Sequence, residues 1–100
     1  MYEMLVGLEL SDVEVYGQYR KAMMPVLKQY GGHFGYDFTV SEVLISQGDS
    51  AINRVFTIAF PSQSKADAFF ANSDYLKVKQ KYFNASVVNT SIIASYDKPD

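Results

Sequence analysis

The sequence predicts an α+β domain of the order βαββαβ, a four-stranded antiparallel sheet with both helices on one face. Three observations carry this prediction. Four segments alternate apolar and polar residues with the period of a strand, and two longer segments repeat their apolar residues with the period of a helix. The helical segments fall between the first and second strands and between the third and fourth, which is where right-handed crossovers belong. At 100 residues and 11.3 kDa the chain has the size of one domain spanning residues 1–100.

The first strand is read from Tyr2, Met4, Val6, Leu8 and Leu10, which alternate with Glu3, Leu5, Gly7 and Glu9. Ser11 with Glu14 forms a capping box and starts a helix over about residues 12–30. Val13, Tyr16, Met23, Leu27 and Tyr30 keep one face of it toward a core, and Gly31-Gly32 supplies the left-handed stop. Pro25 inside this helix removes one backbone hydrogen bond, which predicts a kink near residues 21–24.

Phe34, Tyr36, Phe38 and Val40 share one parity of a second strand. Its phase slips after Glu42, where Val43, Leu44 and Ile45 are apolar on both faces, as at a bulge or a doubly covered strand end. Ser46 to Ser50 is a turn. Arg54, Phe56, Ile58 and Phe60 form the third strand, and Pro61 stops it. Ser62 or Ser64 caps a second helix with Ala66, Phe69 and Phe70, broken near Asn72 and restarted by Ser73 with Tyr75, Val78, Tyr82 and Phe83. The last strand carries Val88, Thr90, Ile92, Ala94 and Tyr96, and residues 97–100 read as a fraying tail.

This order is the ferredoxin-like arrangement. Its sheet has a second face, on which Leu5, Val43, Ile45, Val55, Ala59, Val87 and Ile93 are expected. Left to solvent they would form one apolar patch, so a second copy of the chain is the natural cover. Burial of about 600 to 800 Å² per subunit would suit a stable homodimer. The alternative is a scatter of exposed aliphatic residues.

Composition removes several function classes. Hydrophobic residues make up 48% of the chain and charged ones 20%, so it belongs with globular proteins. With no cysteine, disulfides, thiolate metal sites and thiol nucleophiles are excluded by count. The net charge of −2 and pI near 5.2 supply no basic field for a phosphate backbone, so nucleic acid is not an expected partner. No apolar run approaches the roughly 20 residues of a membrane helix, and the amino terminus lacks the positive charge of a secretory signal, so a cytoplasmic protein away from membranes is expected. No phosphate loop, nucleophile elbow or metal-binding motif occurs, and neither a cofactor nor a metal is expected.

Five residues remain as candidates for ligand binding: Arg20, Arg54, Tyr16, Tyr36 and His33. Helical spacing places Arg20 in the middle of an apolar face, where a guanidinium needs a partner. One reading pairs Glu42 with one arginine while the other reaches solvent. The other has Arg20 and Arg54, with Tyr16 and Tyr36 around them, holding a small organic anion in a cleft between helix and sheet. His33 is the one histidine and follows the double glycine, where it could act as acid or base or lie on the surface.

Three stretches together resemble a known family: Tyr16-Gly17-Gln18-Tyr19-Arg20 on to Tyr30-Gly31-Gly32-His33-Phe34, then Arg54 through Ser62, then Ala66 through Phe69-Phe70 to Ser73-Asp74-Tyr75. They are similar to the small uncharacterised proteins called domain of unknown function 1330, within the dimeric α/β-barrel, ferredoxin-like superfamily. The resemblance implies that fold and a homodimer. The superfamily also holds cofactor-independent monooxygenases and relatives of muconolactone isomerase, so the resemblance adds a cofactor-independent oxygenase or isomerase, acting on a small aromatic or polyketide-like acid, to two other readings. These are a small-molecule-binding dimer and a non-catalytic structural or regulatory module. No catalytic set carries over residue by residue.

Overall fold

The central strand of the sheet is the first in sequence. In the computed structural model, which describes residues 1–99, β1 (Tyr2–Leu10) pairs antiparallel with both β3 (Arg54–Phe60) and β4 (Val87–Asp97). With β2 (His33–Thr39) paired to β3, the strand order is β2-β3-β1-β4. Alternation along β1 and β3 sends Val6, Leu8, Phe56, Ile58 and Phe60 into one buried layer under the helices. The strands agree with the ferredoxin-like expectation; the helical layer is more divided than expected.

Helix α1 (Val13–Gln29) buries Tyr16, Tyr19, Met23, Val26 and Leu27. This stripe leaves Val13 two-thirds exposed, against the expectation that it faces the core. The cap also differs. Asp12, not Ser11, accepts the Val15 amide, while the Ser11 hydroxyl turns to the Ser86 carbonyl. The helix runs through Pro25 without a break. Gly31 takes φ +72°, and the Gly32 amide closes back on Leu27 O, which ends the helix as the double glycine predicts.

Beyond β3 the chain makes α2 (Gln63–Ala71), then α3 (Ser73–Val78), a π-helical turn over Lys79–Phe83, and α4 (Asn84–Ser86). Ser62 caps α2 through the Lys65 amide. The second start belongs to Asn72 and not to Ser73: its side-chain oxygen accepts the amides of Asp74 and Tyr75, and its amide group donates to the Tyr30 hydroxyl. The wide turn ends with the Asn84 amide on Lys79 O. A single second helix was therefore too simple, because each restart uses a local side-chain or wide-turn device.

Two corrections concern the sheet. Gly35 and Tyr36 together oppose one residue of β3, as Phe34 faces Ile58 and Asp37 faces Phe56. This bulge breaks the expected shared parity of Phe34, Tyr36 and Phe38: Asp37 joins Phe34 on the helix side, and Phe38 pairs with Val55 on the opposite parity. A β carbon at Gly35 would stand 2.7 Å from Thr57 Oγ1, the atom that accepts the Tyr36 amide, so the bulge needs a glycine there. Residues 40–53 form an irregular connection and not a strand end, with Leu44 and Ile45 almost fully exposed.

That connection returns over the face of the sheet away from the helices. Asn53 extends the pairing, its amide on Leu8 O and its side chain bonded to both backbone groups of Leu10. Ile52 then lies against Gly7, where a β carbon would meet it at 2.8 Å. Of the residues expected on this face, Leu5, Val55 and Ala59 lie on its parity, and Val43 and Ile45 sit in the connection. Val87 instead pairs with Leu10 and packs against the core, and Ile93 stands in a bulge of β4, half exposed. Asp97 is paired with Tyr2 and Lys98 with Met1, so the chain end is held further than a fraying tail would be, and Asp100 lies outside the described residues.

Candidate functional site

Tyr16 and Arg20 stand one turn apart on α1, so their side chains meet above the sheet. Arg20 donates its Nε hydrogen to the Tyr16 hydroxyl at 2.7 Å, and its Cζ lies over the Phe34 ring, 3.8 Å from its centre. Its two terminal nitrogens reach Asp37 at 3.2 and 3.4 Å. Arg54 grips the same carboxylate at 2.7 and 2.9 Å. One carboxylate thus bridges two guanidinium groups, and the cluster of two cations and one anion keeps a net charge of +1.

Asp37 is the partner that Arg20 required, in place of Glu42, which is exposed in the connection. The hydrogen bonds from Arg54, helped by the charge of Arg20, hold the Asp37 carboxyl below the usual carboxylate range against the opposing effect of burial. The same bonds raise Arg54. The arginine side chains are 15 and 19% exposed and that of Asp37 30%, so the triad is only partly shielded from salt.

Beside the triad a cavity of about 220 Å³ opens between the helices and the sheet. Its walls are mostly apolar, with Val6, Leu8, Met23, Phe34, Phe56 and Ile58 among them. Three phenols also line it. Tyr19 and Tyr75 share a hydrogen bond of 2.9 Å, and Tyr16 adjoins them with its ring centre 5.5 Å from that of Tyr19. Burial raises all three phenols above their ordinary pKa, which keeps them protonated. Lys79 and Phe83 enter the wall from the π-helical turn, and the exposed Thr90 and Ile92 of edge strand β4 mark the mouth.

The structure brings Tyr16, Arg20 and Arg54 together and leaves two candidates outside. Tyr36 sits in the β2 bulge, 68% exposed, away from the cavity wall. His33 is exposed opposite Ala59, on the sheet face away from Arg20. Asp37, Tyr19, Tyr75 and Lys79 were not singled out from sequence. Gly35 inside a strand was the available sign of a bulge that would turn Asp37 inward. Tyr19 and Tyr75 gave no sign beyond helical spacing, which reads equally as packing. Among the described residues no group of three or more histidine, aspartate or glutamate side chains could hold a metal ion, and no helix is long and apolar enough to cross a membrane.

Comparison with known proteins agrees with this fold. The family described as Domain of unknown function (DUF1330) matches residues 4–96. No curated protein matches the sequence. Among solved structures, a protein of unknown function from Rhodopseudomonas palustris superposes with a TM-score of 0.79 at 20% identity, over 99% of this chain and 82% of that one. A putative antibiotic biosynthesis monooxygenase from Nitrosomonas europaea gives 0.63 at 12% identity, over 98% of each chain. A dimeric protein of unknown function and ferredoxin-like fold from Bacteroides fragilis gives 0.62 at 12% identity, over 97% of this chain and 95% of that one. These identities speak for the fold alone.

Proposed function

The chain belongs to the family described as Domain of unknown function (DUF1330), and we propose that it is a homodimeric domain that binds a small organic molecule between its helices and its sheet. The observation that carries this reading is the apolar cavity beside the Tyr16–Arg20–Asp37–Arg54 cluster. Its volume exceeds the ~150 Å³ that admits benzene in an engineered cavity. An open cleft favours binding over a purely structural or regulatory module, whose interior would be filled by side chains. The net positive charge of the cluster suits a ligand with anionic character, with Arg20 and Arg54 acting through the field they share around Asp37.

The dimer reading rests on the second sheet face. Leu5, Val55 and Phe38 lie there on one parity, the last half exposed, and Ile52 of the 40–53 connection covers Gly7. The dimeric relative from Bacteroides fragilis supports it. A second functional reading, a cofactor-independent oxygenase or isomerase, is favoured by the Nitrosomonas europaea relative and by protonated phenols facing an apolar cavity.

Native mass spectrometry of the protein as purified tests both parts. A dimer carrying a small retained mass is expected, with Val55→Arg shifting it to monomer and Ile92→Trp at the mouth losing the added mass. Monomer alone at micromolar concentration would remove the dimer. An unmodified mass, together with no binding from a panel of small aromatic acids and ketones, would remove the ligand.

A further inference from the structure

The hydrogens on the cavity wall can be counted. A phenol has one O–H hydrogen to give, and a guanidinium only gives. Tyr16 accepts from Arg20, so that bond leaves its own hydrogen unspent. Tyr19 and Tyr75 make one bond between them, which uses one of their two hydrogens. Three buried phenols therefore hold three hydrogens and spend one. Among the described residues no acceptor takes the other two.

The rest of the wall takes neither of these hydrogens. Its remaining polar side chains are Lys79, which only donates, and Thr90, which stands exposed at the mouth. No carboxylate, side-chain amide or imidazole lines the cavity. Donation from the Arg20 cation onto the Tyr16 oxygen also polarises that phenol and strengthens its O–H as a donor. Burial opposes ionisation, so the hydrogen stays in place.

Resting on the cavity reading above, we propose that this site selects ring-sized apolar molecules bearing a carbonyl or enolate oxygen, which receives the Tyr16 hydrogen and the free hydrogen of the Tyr19–Tyr75 pair. An oxygen that only accepts meets two donors there and no carboxylate to repel it. A ligand whose polar group only donates, such as an ammonium ion, can use only the phenol oxygens, leaves both phenol hydrogens without an acceptor and stands beside a cationic cluster.

Acetophenone and α-methylstyrene have the same shape and differ in the carbonyl oxygen, so they separate the two claims when titrated by NMR into the wild-type protein and its variants. Tyr16→Phe should weaken acetophenone about tenfold, at the upper end of one hydrogen bond, and leave α-methylstyrene unchanged or tighter. The double variant Tyr19→Phe/Tyr75→Phe leaves the Arg20–Tyr16 bond untouched and should show the same selective loss, which covers the case in which Tyr16→Phe fails to fold. Equal effects on both probes, or none, in a folded variant would overturn the donor proposal and leave the cavity reading standing. Failure of both probes to bind the wild-type protein would overturn the two together.

Discussion

Asp37 ties two guanidinium groups from different elements, so its loss leaves two half-buried cations facing each other. Asp37→Asn should destabilise the fold by about 1–3 kcal/mol at neutral pH, read from urea unfolding. The sign with pH follows from its lowered folded pKa. Between the folded and unfolded values the unfolded chain binds more protons, so this contribution is complete above the ordinary carboxylate value near ~4 and disappears as pH falls through the lower folded value. The asparagine variant should lack that part of the acid loss. At the alkaline end the sign reverses. Tyr16, Tyr19 and Tyr75 keep their protons when folded, and their contribution to stability is complete below the ordinary phenol value of ~10 and lost as pH rises above it. Their tyrosinate absorbance should appear only with unfolding. The need of Arg20 for a partner was legible from helical spacing, because a charge among Tyr16, Met23 and Leu27 is costly unless it is paired or reaches solvent. The identity of that partner was not legible, since strict alternation turns Asp37 outward and only the Gly35–Tyr36 bulge reverses it.

At the scale of elements the joints matter more than the helices. Asn72 closes α2 with its backbone amide on Phe69 O, opens α3 with its side-chain oxygen and donates its side-chain amide to the hydroxyl of Tyr30, the residue that ends α1, so one residue joins three helices. Asn72→Ala should cost about 1–2 kcal/mol and lower the thermal midpoint, whereas Ser73→Ala should cost less because Ser73 is not the cap. An equal loss in both would assign the cap wrongly. The two inner strands, β1 and β3, were legible in sequence because each buries a face and alternation is local. The restart near residue 72 was legible too, though not its capping residue. The π-helical turn was not: Lys79 to Phe83 have ordinary helical composition, and the wide turn shows only in the structure, where it brings the Phe83 ring edge-on to Tyr19. Residues 43–45 misled for the opposite reason, since an apolar run satisfies a strand pattern even where no neighbouring strand exists to pair with it.

At the scale of the whole molecule, order and topology follow from local patterns, and the cavity does not. A cavity is a mismatch between two layers, here α1 with the α3 turn against the sheet, and no single residue encodes it. The aromatic stripes that line it read as plain packing when taken one helix at a time. The four methionines offer the most direct test, because Met4 and Met23 line the cavity while Met1 and Met24 do not. With methyl-labelled methionine, titration of α-methylstyrene or acetophenone should shift the Met4 and Met23 signals saturably and leave those of Met1 and Met24 in place. Signals that all stay fixed up to the solubility limit, or that move only at Met1 and Met24, would contradict a ligand site between the helices and the sheet.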